Sequence, residues 1–349
     1  MGQFGDSAVK KRHRRLAVYT FVVNPAGLDE LRAYQIRLSI SSLREHNPDI
    51  GIALLLSGRL PRGLARELKQ WNVTIFPVQS YSDRLRALTG HRGAVFDRYL
   101  TLQKWIYLDE IDGLGADSVI LLDFDTCFAQ DIERLFDKYS SADWYSREEV
   151  FTSKSPDPCA KRHAPHYVDE TKVRVLGKSL RLRPVPCVNL GVVLLNHKSW
   201  RTLAKGIPSF FDVLWRFYVW MALNPVAEER SDVIFLREHM ATLVTPVDRG
   251  RALQYPSQNR WIKDGVSMTL VLGGLEMSVD LLRAEDSLQG IEFQNASDRV
   301  EWTLLHYFTI LAPSLIERIR NRQRPGWPRL AAPPRRLTAE LAREQAGRR

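Results

Sequence analysis

The sequence predicts an α/β fold in which helices cover both faces of a central sheet. Short apolar, β-branched runs alternate with longer segments whose apolar residues recur at helical spacing, as in β-α-β units. The chain has 349 residues, of which 44% are hydrophobic and 26% charged, which is enough to bury a large core. A peptide, a coiled coil and a disordered chain are therefore excluded, and one large domain or two ordinary ones are expected.

The first elements follow each other in the order that a mostly parallel sheet requires. An apolar run over residues 16–23 predicts a strand, and Asn24 and Pro25 begin the loop after it. The next four segments are predicted as helix, strand, helix and strand, over residues 28–45, 50–56, 64–71 and 73–78.

The middle of the chain contains the most strongly apolar strand. A helix predicted from Phe96 to Leu108 leads to Ser118–Leu122, whose Val-Ile-Leu-Leu run is typical of a strand buried on both faces. A short helix is predicted over residues 132–139. Two further apolar strands are predicted over residues 188–196 and 302–308.

Two carboxylates follow directly after the buried strand, in the run Asp123-Phe124-Asp125-Thr126. In extended backbone, side chains alternate with period two, so Asp123 and Asp125 are expected to point the same way while Phe124 turns to the other side. Two carboxylates at the carboxyl end of a strand favour Mg²⁺ or Mn²⁺ holding a diphosphate. Two other interpretations stay open, in which Asp125 caps the next helix or both carboxylates are simply solvated.

Two later strands carry polar residues with a matching chemistry. Asn189 and Gly191 stand at the entrance of one apolar strand, where a sugar could approach the backbone closely. His306 is a lone histidine in another apolar strand, and a buried histidine of this kind commonly serves only the core. If the fold returns this strand to Asp123 and Asp125, the imidazole completes a site with two oxygen ligands and one nitrogen, suited to Mn²⁺.

The order of these segments resembles that of a known enzyme family. A first strand is followed by a helix ending in Ser42-Leu43, then by LLDFDT leading to DIERLF, by NLGVVLLN with Trp200, and by LLHY. This order resembles the glycosyltransferases of the GT-A fold, in particular the retaining family that includes glycogenin and the lipooligosaccharide galactosyltransferases, over about residues 16–312. The resemblance implies a Rossmann-like nucleotide-binding half with a mixed central sheet, continuous with an acceptor-binding half.

The resemblance also implies an activity. The expected reaction is metal-dependent transfer of a hexose, with retention, from a UDP-linked or other nucleoside diphosphate sugar to a hydroxyl of a glycan, glycolipid or polysaccharide precursor. Mn²⁺ or Mg²⁺ would be bound by Asp123, Asp125 and His306. The residues expected to contact the donor, carried over by position, are Thr20, Asn24, Arg98, Lys104, Asp123, Asn189 and Gly191.

The chain departs from the family pattern at two points. The family has a Gly and then a diphosphate-binding Lys after its His, and the segment from Tyr307 to Pro313 offers neither. Its Asp-Gln pair at the donor sugar is matched best by Asp232, which is followed by Val233, and Glu229 is a second candidate. Asp232 and Asn189 are therefore the residues expected at the reacting sugar.

Two other functions remain as alternatives. A strand ending in DxDxT-like residues also describes the Mg²⁺-dependent phosphatases of the haloacid dehalogenase type, with Asp123 as nucleophile and Asp125 as general acid. That class predicts a later acidic pair, as DD or GDxxxD, and neither pattern follows Asp125. The other alternative is a catalytically silent binding platform of the same fold.

The charge of the chain is concentrated at its ends. Residues 1–15 form a basic N-terminal arm, and residues 318–349 form a Pro/Arg-rich tail with ten arginines, while residues 16–317 carry 35 basic and 37 acidic residues. The domain between them divides into a nucleotide-binding half, residues 16–140, and a lid and acceptor half, residues 141–317, with the lid expected at 152–186. No nucleic-acid groove is expected, because the basic charge lies outside the core.

Composition and charge also give an expectation for location. Three cysteines, without a CxxC pair, favour a reducing compartment, and no run reads as a signal peptide or as a spanning helix. The chain is therefore expected to be cytoplasmic. Its basic tail could bring it to the anionic inner face of a membrane.

Overall fold

A seven-stranded mixed sheet forms the centre of the computed structural model. The structure describes residues 15–23, 28, 30–90, 103–149, 174, 177–178, 181–223, 264–290, 292 and 302–306. Their strands are β1 (Arg15–Val22), β2 (Gly51–Ser57), β3 (Val73–Pro77), β4 (Ser118–Leu122), β5 (Thr126–Phe128), β6 (Trp144–Glu148), β7 (Val188–Leu195), β8 (Val279–Leu281), β9 (Ser287–Gln289) and β10 (Leu304–His306). The large sheet has the order β3-β2-β1-β4-β7-β6-β8.

The direction of the strands changes at β7. Strands β3, β2, β1 and β4 are parallel to one another, whereas β7 is antiparallel to both β4 and β6. In the register of β1 with β4, Tyr19 lies opposite Leu122, so the carboxyl ends of both strands reach the same edge. The predicted α/β class with a mixed central sheet is confirmed by this arrangement.

Seven α-helices of the described residues pack against the sheet or connect its strands. They are α1 (Glu30–His46), α2 (Arg62–Gln70), α3 (Tyr81–Thr89), α4 (Gln103–Ile106), α5 (Glu133–Lys138), α6 (Trp200–Leu223) and α7 (Asp264–Gly274), with a 3₁₀ helix at Leu108–Leu114. In this part of the chain, no helix is long and apolar enough to cross a membrane.

Apolar side chains fill both sides of the sheet. Along β4, Val119 and Leu121 join a cluster with residues of α3, α6 and α7, while Ile120 and Leu122 join a second cluster with residues of α1, α2 and α5. Alternate residues of one strand are therefore buried on opposite faces, which explains why its sequence is continuously apolar.

Three details of the helices differ from the sequence prediction. Helix α3 was not predicted, although Ser80 caps it by accepting a hydrogen bond from the Asp83 amide at 3.3 Å. The helix predicted from Phe96 to Leu108 is described only from Gln103, ends as α-helix at Ile106 and continues as the 3₁₀ helix. Helix α5 has Ile132 at its N-cap, without a side-chain hydrogen bond, so Asp125 does not cap it.

The two predicted halves share one sheet. Strands β6, β7 and β8 come from the segment after residue 140, yet β7 pairs directly with β4 over Val119–Leu122. A second sheet, in the order β5-β10-β9, places β10 antiparallel to β5. This pairing brings a late segment of the chain to the residues that follow β4.

Candidate metal and donor site

The two aspartates after β4 lie in a turn and not in an extended strand. Asp123 follows the last residue of β4, Phe124 and Asp125 form the turn, and β5 begins at Thr126. The Thr126 hydroxyl closes the turn by donating to the Asp123 carbonyl oxygen at 2.7 Å. The expectation from period-two alternation was therefore wrong in its geometry, although both carboxylates belong to one cluster.

Phe124 packs against strand β1. Its ring stacks on Tyr19 with centroids 4.9 Å apart and meets Phe21 edge-on at 5.4 Å. Both partners lie on β1, so these aromatic contacts pack the turn against the neighbouring strand.

A buried chain of hydrogen-bonded hydroxyl groups connects the turn to β1 and to helix α1. The Tyr19 hydroxyl and Ser39 Oγ are 2.9 Å apart, and Ser39 Oγ and Thr126 Oγ1 are 2.7 Å apart. Because Thr126 also donates to the Asp123 carbonyl oxygen, the chain connects β1, helix α1, β5 and the turn. Sequence reasoning missed these supporting residues, since isolated serine and threonine residues carry no motif.

Strand β10 brings His306 to the two carboxylates. His306 lies opposite Thr126 in the antiparallel pairing, and its imidazole is buried. Nε2 is 3.4 Å from Asp125 Oδ1 and 4.0 Å from Asp123 Oδ2. The ligand atoms of the three residues lie within 4.8 Å of one another.

Burial and charge shift the protonation of this cluster. Burial raises the pKa of Asp123, against the opposing effect of the Lys104 ammonium. Burial alone would lower the pKa of His306, but the carboxylates of Asp125 and Asp123 outweigh it and the pKa lies above its ordinary value. Both shifts favour proton binding, because each group keeps its proton to a higher pH than it would in water.

Gly191 leaves the space that the imidazole of His306 occupies. The ring of His306 lies against Gly191 so closely that a Cβ at this position would overlap it. The Gly191 carbonyl oxygen also accepts a hydrogen bond from the Asp123 amide at 2.9 Å, so β7 holds the beginning of the turn. The sequence had indicated a close approach at this glycine, and the structure identifies the approaching group as His306.

Asn189 lies next to this contact on β7. Its Oδ1 accepts a hydrogen bond from the Gly191 amide at 3.0 Å, and its Nδ2 donates to Glu149 Oε2 at 3.2 Å. Glu149, directly after β6, was not identified from the sequence because no motif surrounds it.

Lys104 is a basic residue that the fold brings into the site. Its side chain is only 7% exposed, and Nζ lies 2.6 Å from Asp123 Oδ1. It also donates a hydrogen bond to the Leu190 carbonyl oxygen. The preceding residue, Gln103, accepts a hydrogen bond from the Val22 amide at 2.8 Å, which ties helix α4 to the end of β1.

The other predicted site residues divide into two groups. Thr20 is buried near the carboxyl end of β1, on the strand beside β4. Asn24, Arg98, Glu229 and Asp232 lie outside the described residues, as do the tail and most of the predicted lid.

The described ligands fit a divalent cation. Two carboxylate oxygens and one imidazole nitrogen form a donor set suited to Mn²⁺ and also acceptable to Mg²⁺. Ligands at about 2.1 Å from an octahedral ion are about 3 Å apart when adjacent and about 4 Å apart when opposite. The separations of 3.4 Å and 4.0 Å lie in this range, so small side-chain movements would suffice for coordination.

Comparison with known proteins gives matches to solved structures only. No family model and no curated protein matches the chain. Galactosyltransferase LgtC, in complex with donor and acceptor sugar analogues, is 14% identical, with a TM-score of 0.45 over 94% of this chain and 95% of that one. Mouse xyloside xylosyltransferase 1 is 12% identical, with a TM-score of 0.44 over 84% of this chain and 98% of that one.

A third match has a similar sequence identity and a similar TM-score. The glycosyltransferase GlyE of Streptococcus pneumoniae TIGR4 is 13% identical, with a TM-score of 0.46 over 96% of this chain and 64% of that one. At these identities and TM-scores, no activity, substrate or partner of these proteins is transferred to the chain. The function has to be argued from the site itself.

Proposed function

We propose that the protein is a metal-dependent glycosyltransferase that transfers a hexose from a nucleoside diphosphate sugar, with UDP as the first nucleotide to test. The observation that carries the proposal is the convergence of Asp123, Asp125 and His306, which come from two distant segments, at the carboxyl end of β4. In open α/β sheets, this edge is where ligands bind. A hydroxyl of a glycan, glycolipid or polysaccharide precursor is the proposed acceptor.

Each residue has a proposed role. Asp123, Asp125 and His306 would hold Mn²⁺ or Mg²⁺, which would supply positive charge opposite the negative charge of the departing diphosphate. Thr20, Asn24, Arg98 and Lys104 are proposed for the nucleotide and phosphate side of the donor, and Asn189, Gly191 and Asp232 for the sugar side. Lys104 contacts Asp123, and Asn189 accepts a hydrogen bond from the Gly191 amide, which supports a place for both residues at the donor.

Retention of configuration is part of the proposal. It follows the resemblance of the segment order and requires no covalent nucleophile on the protein. In a front-face mechanism, the leaving phosphate takes the proton of the acceptor, and the protein only has to hold donor and acceptor in place. Retention is tested by determining the anomeric configuration of the product by NMR and comparing it with that of the donor sugar.

The phosphatase alternative is not favoured. Within the described residues, the group able to hold a metal consists of Asp123, Asp125 and His306 and includes no second acidic pair. A silent binding platform differs from the transferase only in turnover, which is therefore measured separately.

The test of the proposal is calorimetric titration of the full chain with UDP and GDP, each with and without Mn²⁺. Metal-dependent binding of one nucleotide that is lost in Asp125→Ala supports the donor site. Asp131→Ala is the matched control, because Asp131 is a nearby aspartate that is not one of the three proposed metal ligands. Its Oδ1 accepts a hydrogen bond from the Glu133 amide on the helix after β5. Absence of nucleotide binding under every condition would overturn the proposal.

A second measurement separates an enzyme from a silent platform. Nucleotide release from UDP-hexoses is followed with a panel of glycan and glycolipid acceptors. Release that depends on an acceptor and on Asp125 supports the transferase. Tight Mn²⁺-dependent binding without release from any sugar would favour the platform.

A further inference from the structure

Lys104 occupies an unusual place for a basic residue. Its ammonium group is almost completely buried and lies 2.6 Å from Asp123 Oδ1, within the group of residues proposed to bind a divalent cation. A buried lysine is costly unless it is paired and hydrogen-bonded. Here both conditions are met, because the ammonium also donates to the Leu190 carbonyl oxygen.

Lys104 divides the two oxygens of Asp123 between two partners. Oδ1 contacts the ammonium, while Oδ2 faces the imidazole of His306 at 4.0 Å. One oxygen therefore remains directed to the cation position, and the carboxylate is held in one orientation. The backbone of helix α4 is fixed as well, because Gln103 accepts a hydrogen bond from the Val22 amide.

The same arrangement places a fixed positive charge beside the position of a divalent cation. Like charges a few ångströms apart repel strongly when they are poorly hydrated. The ammonium also neutralises one of the two carboxylate charges that would attract the ion. An arriving diphosphate would reverse this balance, because its negative charges are attracted by both the ion and Lys104.

We infer that Lys104 is a built-in counter-cation that keeps the affinity for a divalent ion low until a diphosphate binds. This inference rests on the proposed function, because it requires a diphosphate at the site. Metal and nucleotide then bind cooperatively, and each raises the affinity for the other by the same factor. Lys104 thus acts as a positioning residue for Asp123 and as the source of this coupling.

The test is titration of the full chain with Mn²⁺, with and without UDP. The electron paramagnetic resonance signal of the free ion measures how much Mn²⁺ is bound. Lys104→Met and Lys104→Gln remove the charge, and Lys104→Arg keeps it. Lys198→Met is the matched control, because Lys198 pairs at 3.4 Å with Asp117, which precedes β4 at its other end. Circular dichroism establishes that each variant is folded.

The expected result has two parts. Without UDP, the neutral variants bind Mn²⁺ at least about tenfold more tightly than the wild type, while Lys198→Met does not differ from it. Lys104→Arg, if folded, stays within about threefold of the wild type. UDP raises the Mn²⁺ affinity of the wild type by about tenfold or more, and clearly less in the neutral variants.

Different results would overturn different statements. Neutral variants that bind Mn²⁺ no more tightly than the wild type refute the role of Lys104. If the wild type still binds Mn²⁺ in a UDP-dependent way in that experiment, the proposed function stands. A wild type whose Mn²⁺ affinity is the same with and without UDP refutes the inference even if the neutral variants do not fold. Absence of Mn²⁺ binding in every protein refutes both.

Discussion

At the scale of single residues, the contact between Gly191 and His306 decides whether the imidazole can reach the carboxylates. The ring lies over the position that a Cβ would take, and its Nε2 faces Asp125 Oδ1 at 3.4 Å. The neighbouring residues are buried and densely packed, so the ring has little space to move aside. Any side chain at residue 191 therefore displaces a proposed metal ligand.

Replacing Gly191 by alanine is expected to weaken Mn²⁺ binding by about tenfold or more, because the methyl group pushes the imidazole away from Asp125. Gly63→Ala is the control, since a Cβ at Gly63 in helix α2 meets no atom within 4 Å. That substitution should leave Mn²⁺ binding unchanged. Equal affinities in the wild type and in Gly191→Ala would mean that His306 is not a ligand.

The protonation of His306 gives a prediction for the metal-free protein. Its pKa in the folded state lies above the ordinary value of 6.5, because Asp125 and Asp123 stabilise the charged ring. A raised pKa adds stability that is complete below the unfolded-state value and is lost as the pH rises through the folded-state value. With a chelator present, the free energy of unfolding should therefore fall from about pH 6.5 upward.

Urea titrations of the wild type and of His306→Gln over this pH range measure the effect. The variant should show a smaller decrease, because it has no imidazole to lose its proton. A wild-type profile parallel to that of the variant would show that the two carboxylates do not stabilise the charged ring.

At the scale of secondary structure, strands were predicted more accurately than turns. The predicted bounds of β4 are correct, because burial on both faces leaves a continuous apolar run. The turn after it was predicted as extended, because its shape depends on the Thr126 hydroxyl and on stacking of Phe124 on Tyr19. Contacts with distant strands and helices leave no local pattern in a sequence.

The candidate site shows the same limit. Asp123 and Asp125 were predicted from their place at the end of a buried strand, and His306 was added through the family resemblance of the segment order. Lys104 was predicted as a donor contact, but its pairing with Asp123 joins a helix to the end of β4 and could not be derived from spacing. The hydroxyl chain beneath the turn had no signal at all.

This hydroxyl chain can be tested at Thr126, where it meets the turn. Thr126→Val keeps the shape but leaves Ser39 and the Asp123 carbonyl oxygen each without one hydrogen bond, at a cost of about 1–3 kcal/mol in the free energy of unfolding. The affinity for Mn²⁺ should fall as well, and Thr126→Ser should restore most of both. Urea unfolding and Mn²⁺ titration measure the two effects. A loss of stability without a loss of Mn²⁺ affinity would show that the turn keeps its shape without this support.

At the scale of the whole molecule, charge separates the two ends of the sequence from its middle. The last 32 residues contain ten arginines and two glutamates, while residues 16–317 are close to neutral. Deleting residues 318–349 is expected to reduce binding to vesicles that contain anionic lipid and to leave binding of the nucleotide unchanged. Vesicle sedimentation measures this, with neutral vesicles as control. Equal sedimentation of both proteins would contradict a role of the tail in binding a membrane.

The position of β10 has a consequence for how the protein folds. Asp125 and His306 come from segments that are far apart in the sequence, and they meet only when β10 has paired with β5. Pairings between such distant segments close large loops and form slowly. A refolding chain should therefore form its large sheet before it binds Mn²⁺, and the appearance of Mn²⁺ binding would report the pairing of β10 with β5.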